Sequence, residues 1–492
     1  MNADTFKMDF LTPDSLYLCI DQGGHASRAI VFNHNGQMVT SAYSEVETEY
    51  PAKHYVELNA DEVIDSICDS INKVLENLGN KRDLIVSAGL ATQRSNIVCW
   101  NNETGKALSP VISWQDRRNT DWLEQFSDKN EHIHKVTGLF LSPHYGASKL
   151  RWCLENIPEV KTALAEKKLA FGPMASFLTF NLVREKPLVV DPVNASRTQL
   201  WNLKKHDWDN ELLTLFGIPA SALPECVPSI FNYGNLNLEG KDIPLRLVTG
   251  DQSAAMYAYG QLQADTAYVN TGTGAFLSRS SGPIPLYSRR LLTSIIFQNE
   301  EHKRIRNNYV LEGTINGAGS ALEWLGKQYP DTNIYDKLSE WLDEIELPPL
   351  FLNGVSGLAS PFWLPNFISK FNHQADVKEK AVAIVESIVF LLKACLDEMS
   401  KLSSPPEQIQ ISGGLATLDG LNQRLADLSE LPVYCPTECE ATSRGTAYLL
   451  ADKPASWPEK DAGKWFKPES NIDLGKRYDD WMQLMLETMR SK

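Results

Sequence analysis

The chain has 492 residues, of which 43% are hydrophobic and 22% charged, so it can bury a large core and is not disordered. At roughly 150 residues per domain, its length predicts about two to four domains. Its 62 acidic residues outnumber its 47 lysines and arginines, and the net charge of −15 argues against a general affinity for nucleic acid or for an anionic membrane.

The first part of the chain predicts strands followed by a helix. Residues 16–21 form a continuous apolar segment, and glycine-containing turns at 23–24 and 34–36 separate it from two further extended segments. Because glycine pairs and Asn-Gly favour tight hairpin turns, we expect a meander of three strands. Residues 61–78 have helical periodicity, and residues 84–91 are typical of another buried strand.

A related pattern returns in the second half. Residues 245–251 predict a strand that ends in an acid, and residues 252–262 predict a helix behind it. Residues 266–280 are typical of two strands joined by a glycine-rich turn. Residues 377–402 predict a long core helix, and residues 408–414 predict a strand and a glycine turn that opens a further helix.

The repeated strand, glycine turn and strand indicate two lobes with related cores. The alternation of strands and helices places both in the α/β class. We expect the lobes to meet near residues 250–265 and assign residues 1–254 to the first domain and 255–492 to the second.

Three turns are candidates for binding phosphate. Asp21 ends a buried strand just before a glycine pair, where exposed backbone N–H groups can cradle phosphate and the carboxylate can hold Mg²⁺. Residues 270–274 place two glycines and two threonines between strands, and residues 412–414 place two glycines after a strand. Each segment also fits an ordinary hairpin or strand-to-helix connection, and local sequence does not separate the two interpretations.

Two further segments allow a structural and a chemical interpretation. Asp251 follows a strand and precedes a helix, so it fits an N-cap as well as a base that deprotonates a substrate hydroxyl. Residues 114–118 place a tryptophan beside three charges, which fits a polar pocket or a solvated rim around a core tryptophan.

Several other chemistries lack their motifs. The chain has no GxxxxGK[ST] phosphate loop, no HExxH metal motif and no GxGxxG after its first strand. Cys435 and Cys439 have the spacing of a metal pair, but no second pair accompanies them. The eight cysteines are sparse, no secretory signal begins the chain, and no apolar run reaches the about 18 residues of a membrane span, so we expect free thiols and a cytoplasmic protein.

Taken in chain order, the segments resemble the FGGY carbohydrate kinases and, within that family, the glycerol kinases most closely. DQGGHASRAIVF is similar to the first phosphate motif of the family, and TQRSNIVCWNNETGKALSPVISWQDRR to the segment that carries the substrate arginine and tryptophan. The remaining matching segments, in the same order, are NASRTQLWNL, GDQSAA, NTGTGAF, LEGTINGAG, GLASPFW and ISGGLAT.

The resemblance implies a fold of two actin-like (ribonuclease H-like) α/β lobes around a cleft. It implies transfer of the γ-phosphate of ATP to a hydroxyl of a small polyol or sugar, with Mg²⁺ as cofactor. We expect no nucleic-acid or membrane partner, and self-association stays open.

The resemblance also assigns site residues by position. Asp251 takes the role of catalytic base, and Asp21 and Asp251 are the expected metal ligands. The expected nucleotide-binding residues are Asp21, Gly23, Gly24, His25, Arg28, Gly272, Thr273, Gly317, Gly413 and Gly414. The expected substrate-binding residues are Arg94, Ser95, Trp114, His144, Asp251, Gln252 and Phe276.

Five residues depart from the glycerol kinase pattern. Gly24 and His25 stand where the first phosphate loop has two threonines, and Ser95 stands where a glutamate binds a substrate hydroxyl. His144 replaces a tyrosine, and Leu418 replaces an asparagine at the adenosine end. Because a site that loses one hydroxyl partner can lose orders of magnitude in rate, we expect a substrate other than glycerol, such as a larger polyol or a ketose.

Two alternatives to a kinase remain. A catalytically weak sugar- or nucleotide-binding protein on the same fold would account for the changed loop at Gly24 and His25. An actin-like ATPase or assembly protein would account for the glycine turns, but not for Trp114 and Gln252 at the substrate positions.

Overall fold

Two α/β lobes enclose a cleft in the computed structural model of the protein. The structure describes residues 12, 14–238, 242–437, 440–454, 457 and 463–490. The cysteines among them that carry free thiols are Cys19, Cys68, Cys99, Cys153, Cys226, Cys395 and Cys435. Cys439, the second member of the candidate metal pair, lies outside the described residues. Within the described residues, no helix is both long and apolar enough to cross a membrane.

The first lobe is organised around a mixed sheet. In spatial order its strands are Ile230–Leu236, Ile243–Gly250, Ile85–Thr92, Leu16–Gln22, Ala26–Asn33 and Met38–Glu45. Strand Leu16–Gln22 is buried along its whole length, as its continuous apolar sequence predicts for a central strand covered on both faces. It pairs in parallel with Ile85–Thr92 and antiparallel with Ala26–Asn33, which confirms the predicted meander.

The second lobe repeats this arrangement. In spatial order its strands are Leu292–Glu301, Arg304–Ile315, Ala275–Gly282, Thr266–Thr271, Gln408–Ser412, Val433–Cys435 and Lys464–Phe466. Strand Thr266–Thr271 pairs antiparallel with Ala275–Gly282 and parallel with Gln408–Ser412, as its counterpart does in the first lobe. Related sheets in both halves confirm the predicted two-lobed α/β class.

Smaller sheets extend both lobes. One combines strands Thr48–Glu49, Glu57–Leu58, Val111–Ile112, Ile97–Asn101 and Leu169–Pro173. The others pair Val189–Val190 with Glu225–Cys226, Trp201–Asn202 with Asp207–Trp208, and Phe351–Leu352 with Lys370–Phe371. A separate apolar core, which includes the buried residues Phe171 and Phe216, packs against the five-stranded sheet and holds an insertion, the part of the first lobe between residues 97 and 223, together.

Helices cover the sheets and fill the insertion. The α-helices are Ala60–Leu78, Thr120–Glu124, Asn130–Thr137, Gly146–Asn156, Pro158–Ala165, Met174–Leu182, Pro192–Ala195, Asn210–Phe216, Asp251–Ala255, Gly319–Gly326, Ile334–Glu344, Val377–Ser400, Asp419–Ser429, Ala441–Leu450 and Ile472–Arg490. Short 3₁₀ helices span Gly79–Leu84, Ser127–Lys129, Ser196–Thr198, Ala220–Ala222 and Gly414–Thr417. Asp376 and Glu379 form a capping box at the start of Val377–Ser400, so local sequence fixes where this core helix begins.

A close helix contact lies at the base of the cleft. Helix Ala441–Leu450 packs on helix Asp251–Ala255 and on strand Leu16–Gln22 of the first lobe. Gly445 makes this possible, because any Cβ there would collide with the carbonyl oxygen of Ala254. The glycine thereby lets the two backbones approach directly behind Asp251.

Two predicted helices are wrong in extent. The helix predicted over 252–262 ends at Ala255, because the following N–H groups bond to carbonyls three residues back and Gly260 turns with φ +104°. After strand Gln408–Ser412, Gly413 has φ +96° and the chain enters a 3₁₀ turn, so the α-helix begins only at Asp419.

Candidate active site

The first phosphate-loop candidate lies at the C-terminal end of the central strand Leu16–Gln22. Asp21 is nearly buried at the end of its strand, and Arg28 on the neighbouring strand lies 3.7 Å from its carboxylate. Gly23 and Gly24 form the turn between them, and the side chain of His25 is exposed. The turn therefore presents backbone, one carboxylate and one guanidinium side by side, without the two hydroxyls of the family motif.

Asp21 and Asp251 lie close enough to act on one another. Burial, and next the negative charge of Asp251, raise the pKa of Asp21 to about 7, whereas Arg28 opposes this rise. Burial likewise raises the pKa of Asp251 above its ordinary value, against the guanidinium of Arg94. Two poorly solvated carboxylates from separate segments thus lie near one another, an arrangement more typical of functional sites than of surface acids.

Asp251 does not cap its helix. Gly250 holds the N-cap position, and Asp251 is the first helical residue, with its carboxylate accepting the backbone N–H of Gln252 at 2.7 Å. The N-cap interpretation of Asp251 is therefore wrong. Its carboxylate remains directed to the cleft, since it lines two adjoining cavities.

A cavity of about 1140 Å³ opens beside Asp251. The structure brings together all the predicted substrate residues in its wall, namely Arg94, Ser95, Trp114, His144, Asp251, Gln252 and Phe276. The second lobe contributes Thr314, Leu358 and Trp363, so the cavity lies between the lobes. Aromatic walls with a few directed polar groups are typical of small-molecule sites.

Sequence reasoning missed an ion network that crosses this cavity. Arg94 and Arg197 of the first lobe both donate to the carboxylate of Glu312 on strand Arg304–Ile315, and Ser294 donates to it at 2.5 Å. Arg94 also donates to the side chain of Gln252. Arg197 and Glu312 lie inside segments that resemble the family, but nothing local in the sequence pairs residues this far apart.

Ser95 is held in an unusual conformation. Its φ is +68°, its side chain is buried, and its hydroxyl has no hydrogen-bond partner among the described residues. Lys149, also buried, donates to the carbonyl oxygens of Ser95 and His144 at 3.4 and 2.7 Å. The ring of His144 lies against Trp114 with centroids 5.4 Å apart. Lys149, which the sequence analysis did not single out, therefore connects the backbone at Ser95 with the backbone at His144. Both of these residues differ from the glycerol kinase pattern.

The segment 114–118 agrees with the polar-pocket interpretation and not with a solvated rim around a core tryptophan. Trp114 is half-buried and lines the cavity. Behind it, Asp116 and Arg118 form a buried ion pair at 2.7 Å, and the Arg118 guanidinium stacks 4.0 Å over the ring of Tyr55. The charged pair is structural, and it fixes the loop that presents Trp114 to the cavity.

The second phosphate-turn candidate is anchored to the strand and helix that follow it. Gly272 and Thr273 offer carbonyl oxygens to the N–H groups of Gly319 and Ser320 at 2.9 and 3.0 Å. Gly274 cannot be replaced easily, because a Cβ would lie 2.7 Å from the carbonyl oxygen of Ile315. The side chain of Thr273 stays exposed.

The remaining predicted glycines follow two strands of the second sheet. Gly317 follows strand Arg304–Ile315, and Gly413 and Gly414 follow strand Gln408–Ser412. A Cβ at Gly317 would lie 2.5 Å from the side chain of Asn353, and a Cβ at Gly413 would collide with the carbonyl oxygen of Thr271. Gly414 differs, since nothing lies within 4 Å of the position of a Cβ. Gly413 therefore serves close packing, whereas Gly414 leaves open space beside the backbone.

The predicted substrate residues and the predicted nucleotide-binding residues do not share one cavity. The nucleotide-side glycines do not line the 1140 Å³ cavity. A second cavity of about 250 Å³ adjoins it and takes its wall from Asn270 and Ser412, which flank two of the glycine turns. Asp251 and Gln252 line both cavities and so stand at the junction.

The carboxylates fit a magnesium ion that arrives with a nucleotide. Among the described residues, no group of three or more His, Cys, Asp or Glu side chains is placed to hold a metal ion. Mg²⁺ seldom uses such a cage; one or two carboxylates, phosphate oxygens and water suffice. Asp21 and Asp251 supply the carboxylates, and their mutual repulsion is the kind of strain that a cation relieves.

Two family models match the chain. Both describe the FGGY family of carbohydrate kinases, with the N-terminal domain matching residues 16–256 and the C-terminal domain matching residues 267–451. The glycerol kinase of Aquifex aeolicus (strain VF5) is 31% identical over 459 residues, which cover 91% of this chain and 91% of that protein. The glycerol kinase of Xanthobacter autotrophicus (strain ATCC BAA-1158 / Py2) is 33% identical over 461 residues, covering 90% and 91%.

Solved structures share the fold. The crystal structure of Plasmodium falciparum glycerol kinase with ADP superposes with a TM-score of 0.85 at 24% identity, covering 96% of this chain and 98% of that one. Ligand-bound xylulose kinase from Lactobacillus acidophilus gives a TM-score of 0.81 at 19% identity, covering 97% and 98%. These matches confirm the predicted pair of actin-like lobes.

Proposed function

The chain belongs to the FGGY family of carbohydrate kinases, and from this premise we propose how its cleft transfers the γ-phosphate of ATP to a polyol or sugar hydroxyl. The observation that carries the proposal is the position of Asp251. Asp251 lines both the large cavity and the smaller one, and its negative charge raises the pKa of Asp21. A base at this junction touches the acceptor hydroxyl on one side and faces the phosphate on the other.

Asp251 is the general base. It accepts the proton of the attacking hydroxyl as the oxygen approaches phosphorus, which is the contribution a carboxylate makes in phosphoryl transfer. Burial raises the pKa of Asp251, and the guanidinium of Arg94 opposes this rise and so favours the ionised form that a base requires. Poor solvation strengthens its interaction with the hydroxyl proton.

The substrate binds in the large cavity. Trp114 and Phe276 supply apolar walls, and Arg94 and Gln252 supply hydrogen-bonding groups whose positions are fixed by their contact with each other. Holding the hydroxyl beside the base turns a bimolecular step into one within a complex, which is where much of the acceleration of such enzymes originates.

ATP binds across the second lobe and reaches Asp21. The backbone N–H groups of the glycine turns and the guanidinium of Arg28 receive the phosphates, and the open space at Gly414 admits the nucleotide. Asp21 and Asp251 would hold Mg²⁺. When bound, the ion neutralises charge on the phosphates during transfer.

We propose an acceptor larger than glycerol. The cavity of about 1140 Å³ exceeds the range of roughly 300–1,000 Å³ that is usual for small-molecule sites. Ser95 is shorter than the glutamate of the glycerol kinase pattern, and its buried hydroxyl has no protein partner among the described residues. A longer polyol or ketose supplies further hydroxyls to this end of the cavity.

We also propose a cytoplasmic location. The described cysteines are free thiols, and several of them are fully buried rather than paired. Free thiols persist in a reducing compartment, where ATP is also abundant.

A coupled ADP-release assay tests the function. Purified protein with ATP and Mg²⁺ is assayed on polyols and ketoses of increasing chain length, beside the variant Asp251→Asn. We expect turnover with at least one acceptor and a loss of about 100-fold or more in kcat for the variant. The exposed Asp83→Asn serves as the matched control and should retain full activity. Undiminished turnover in Asp251→Asn would overturn the assignment of the base, and binding of a sugar without any turnover would favour a binding protein.

A further inference from the structure

The groups around Ser95 in the substrate cavity favour a negative charge, but the described residues place no acid there. Ser95 is 3% exposed and lines this cavity, with a hydroxyl that has no partner among the described residues. A buried polar group without a partner is destabilising unless a ligand or water satisfies it. The position is therefore built to meet a polar group that the chain itself does not provide.

Cationic side chains gather around this hydroxyl. Lys149 is fully buried and bonds the carbonyl oxygens of Ser95 and His144, and within the described residues it has no carboxylate at ion-pair distance. Arg117 lines the same cavity with an exposed side chain, and its hydrogen bonds among the described residues go to backbone carbonyl oxygens. A fully buried cation such as Lys149 is normally paired with an anion.

The acids nearby are already engaged or exposed. Asp116 is bound by Arg118 through two of its nitrogen atoms. Glu312, which also lines the cavity, is bound by two arginines, and Asp251 lies at the junction with the smaller cavity. Asp121 lines the cavity but is exposed to solvent.

The electrostatic effect of this arrangement is visible in His144. Burial, and next the positive charges of Arg117 and Lys149, lower the pKa of its imidazole well below the ordinary value. Burial and Arg117 act on Lys149 in the same direction, so its pKa is also well below the ordinary value. The positive neighbours that lower these two pKa values are the groups that would stabilise a negative charge placed here.

A helix adds to the same field. Helix Gly146–Asn156 begins directly after His144 and Tyr145, and no side chain caps its first N–H groups. The positive end of its dipole therefore lies next to the cationic group.

We propose that the acceptor substrate is a polyhydroxy acid whose carboxylate binds at Ser95, beside His144 and Arg117. This inference rests on the proposed kinase function and specifies its substrate class. The carboxylate accepts hydrogen bonds from the Ser95 hydroxyl and from the guanidinium N–H groups of Arg117. Its negative charge compensates the positive charge of Lys149. In the glycerol kinase pattern a glutamate of the enzyme stands at position 95; here the substrate brings the acid.

The test compares matched acceptors in the full-length protein. The initial rates of phosphoryl transfer are measured for erythronate against erythritol, xylonate against xylitol, and gluconate against glucitol. We expect kcat/KM to be at least about 10-fold higher for the acid in at least one pair, since a charge-assisted hydrogen bond is worth that much or more. Equal or better use of the alditol in every pair would overturn the inference.

Two variants separate charge from size. Ser95→Glu places a carboxylate in the proposed anion site, and Ser95→Gln has the same length and the same backbone conformation without the charge. We expect Ser95→Glu to reduce kcat/KM for the acid by about 100-fold and to remove the preference over the alditol, because two carboxylates would compete for one site. Ser95→Gln should change acid and alditol by similar factors. Equal changes of the acid-to-alditol ratio in both variants would refute the charge argument.

The outcomes distinguish this inference from the kinase function. Phosphorylation of neutral polyols or ketoses without preference for acids refutes the polyhydroxy acid and leaves the kinase in place. Absence of transfer to every acid, alditol and ketose refutes the kinase itself. If circular dichroism shows that the Ser95 variants do not fold, the ratio of kcat/KM for the acid to kcat/KM for the alditol in the unmodified protein tests the inference alone.

Discussion

Replacing Glu312 by glutamine should destabilise the protein strongly, although glutamine keeps the size of the side chain. The carboxylate is 6% exposed and is shared by Arg94 and Arg197, themselves 9% and 5% exposed. Glutamine leaves two guanidinium groups buried without their common anion. Breaking a buried ion pair by removing one partner typically costs about 3–5 kcal/mol.

The pKa of Glu312 gives a second measure of the same interaction. Burial alone would raise it, but Arg197 and Arg94 outweigh burial and lower it from 4.5 to about 2. That difference corresponds to about 3 kcal/mol at neutral pH. Because the pKa is lower in the folded state, this stabilisation is complete above the unfolded pKa and is lost as the pH falls from about 4.5 toward about 2.

Urea unfolding of both proteins between neutral and acid pH is the assay. We expect Glu312→Gln to be less stable by about 3–5 kcal/mol at pH 7, with the difference shrinking as the pH falls through the range in which Glu312 is protonated. Glu301→Gln is the matched control, because Glu301 lies in the same hairpin but pairs with Arg306 at the surface, 3.7 Å away. A surface pair contributes about 0–1 kcal/mol. A deficit no larger than that of the control, or one independent of pH, would refute the reasoning.

Two further predictions concern the nucleotide side. Because the pKa of Asp21 is raised to about 7, the carboxylate should become ionised only as the pH rises through neutrality. Magnesium-dependent ATP binding, measured by calorimetry, should therefore strengthen from pH 6 to pH 8 in the unmodified protein, and Asp21→Asn should lose this dependence; the same dependence in both proteins would contradict the assignment. Gly413→Ala should destabilise the fold, since its Cβ meets the carbonyl oxygen of Thr271 and its φ is +96°. Gly414→Ala should leave the melting temperature unchanged and weaken ATP binding, because its Cβ enters open space; equal melting temperatures for the two variants would contradict this difference.

Elements whose evidence is local could be predicted from the sequence. Strand Leu16–Gln22 and the turn after it are encoded by an unbroken apolar run followed by glycines. Helix Val377–Ser400 is encoded by its periodicity and capping box. The alternation of such elements in both halves was sufficient to predict two related α/β lobes.

Features that depend on contacts between distant segments could not be predicted in this way. Arg197 and Glu312 are separated by 115 positions, and no periodicity connects them. The helix after Asp251 is shorter than its pattern predicts, and there Gly445 packs directly on the carbonyl of Ala254. The left-handed backbone at Ser95 depends likewise on its surroundings, because serine has no local preference for it.

The central claim is that Asp251 touches the acceptor hydroxyl where the two cavities meet. A crystal structure with a non-hydrolysable ATP analogue, Mg²⁺ and an acceptor identified by turnover measures this contact directly. The account predicts a substrate hydroxyl oxygen within about 3.2 Å of the Asp251 carboxylate, facing the γ-phosphate. An acceptor bound elsewhere, or one whose reacting hydroxyl points away from Asp251, would contradict it.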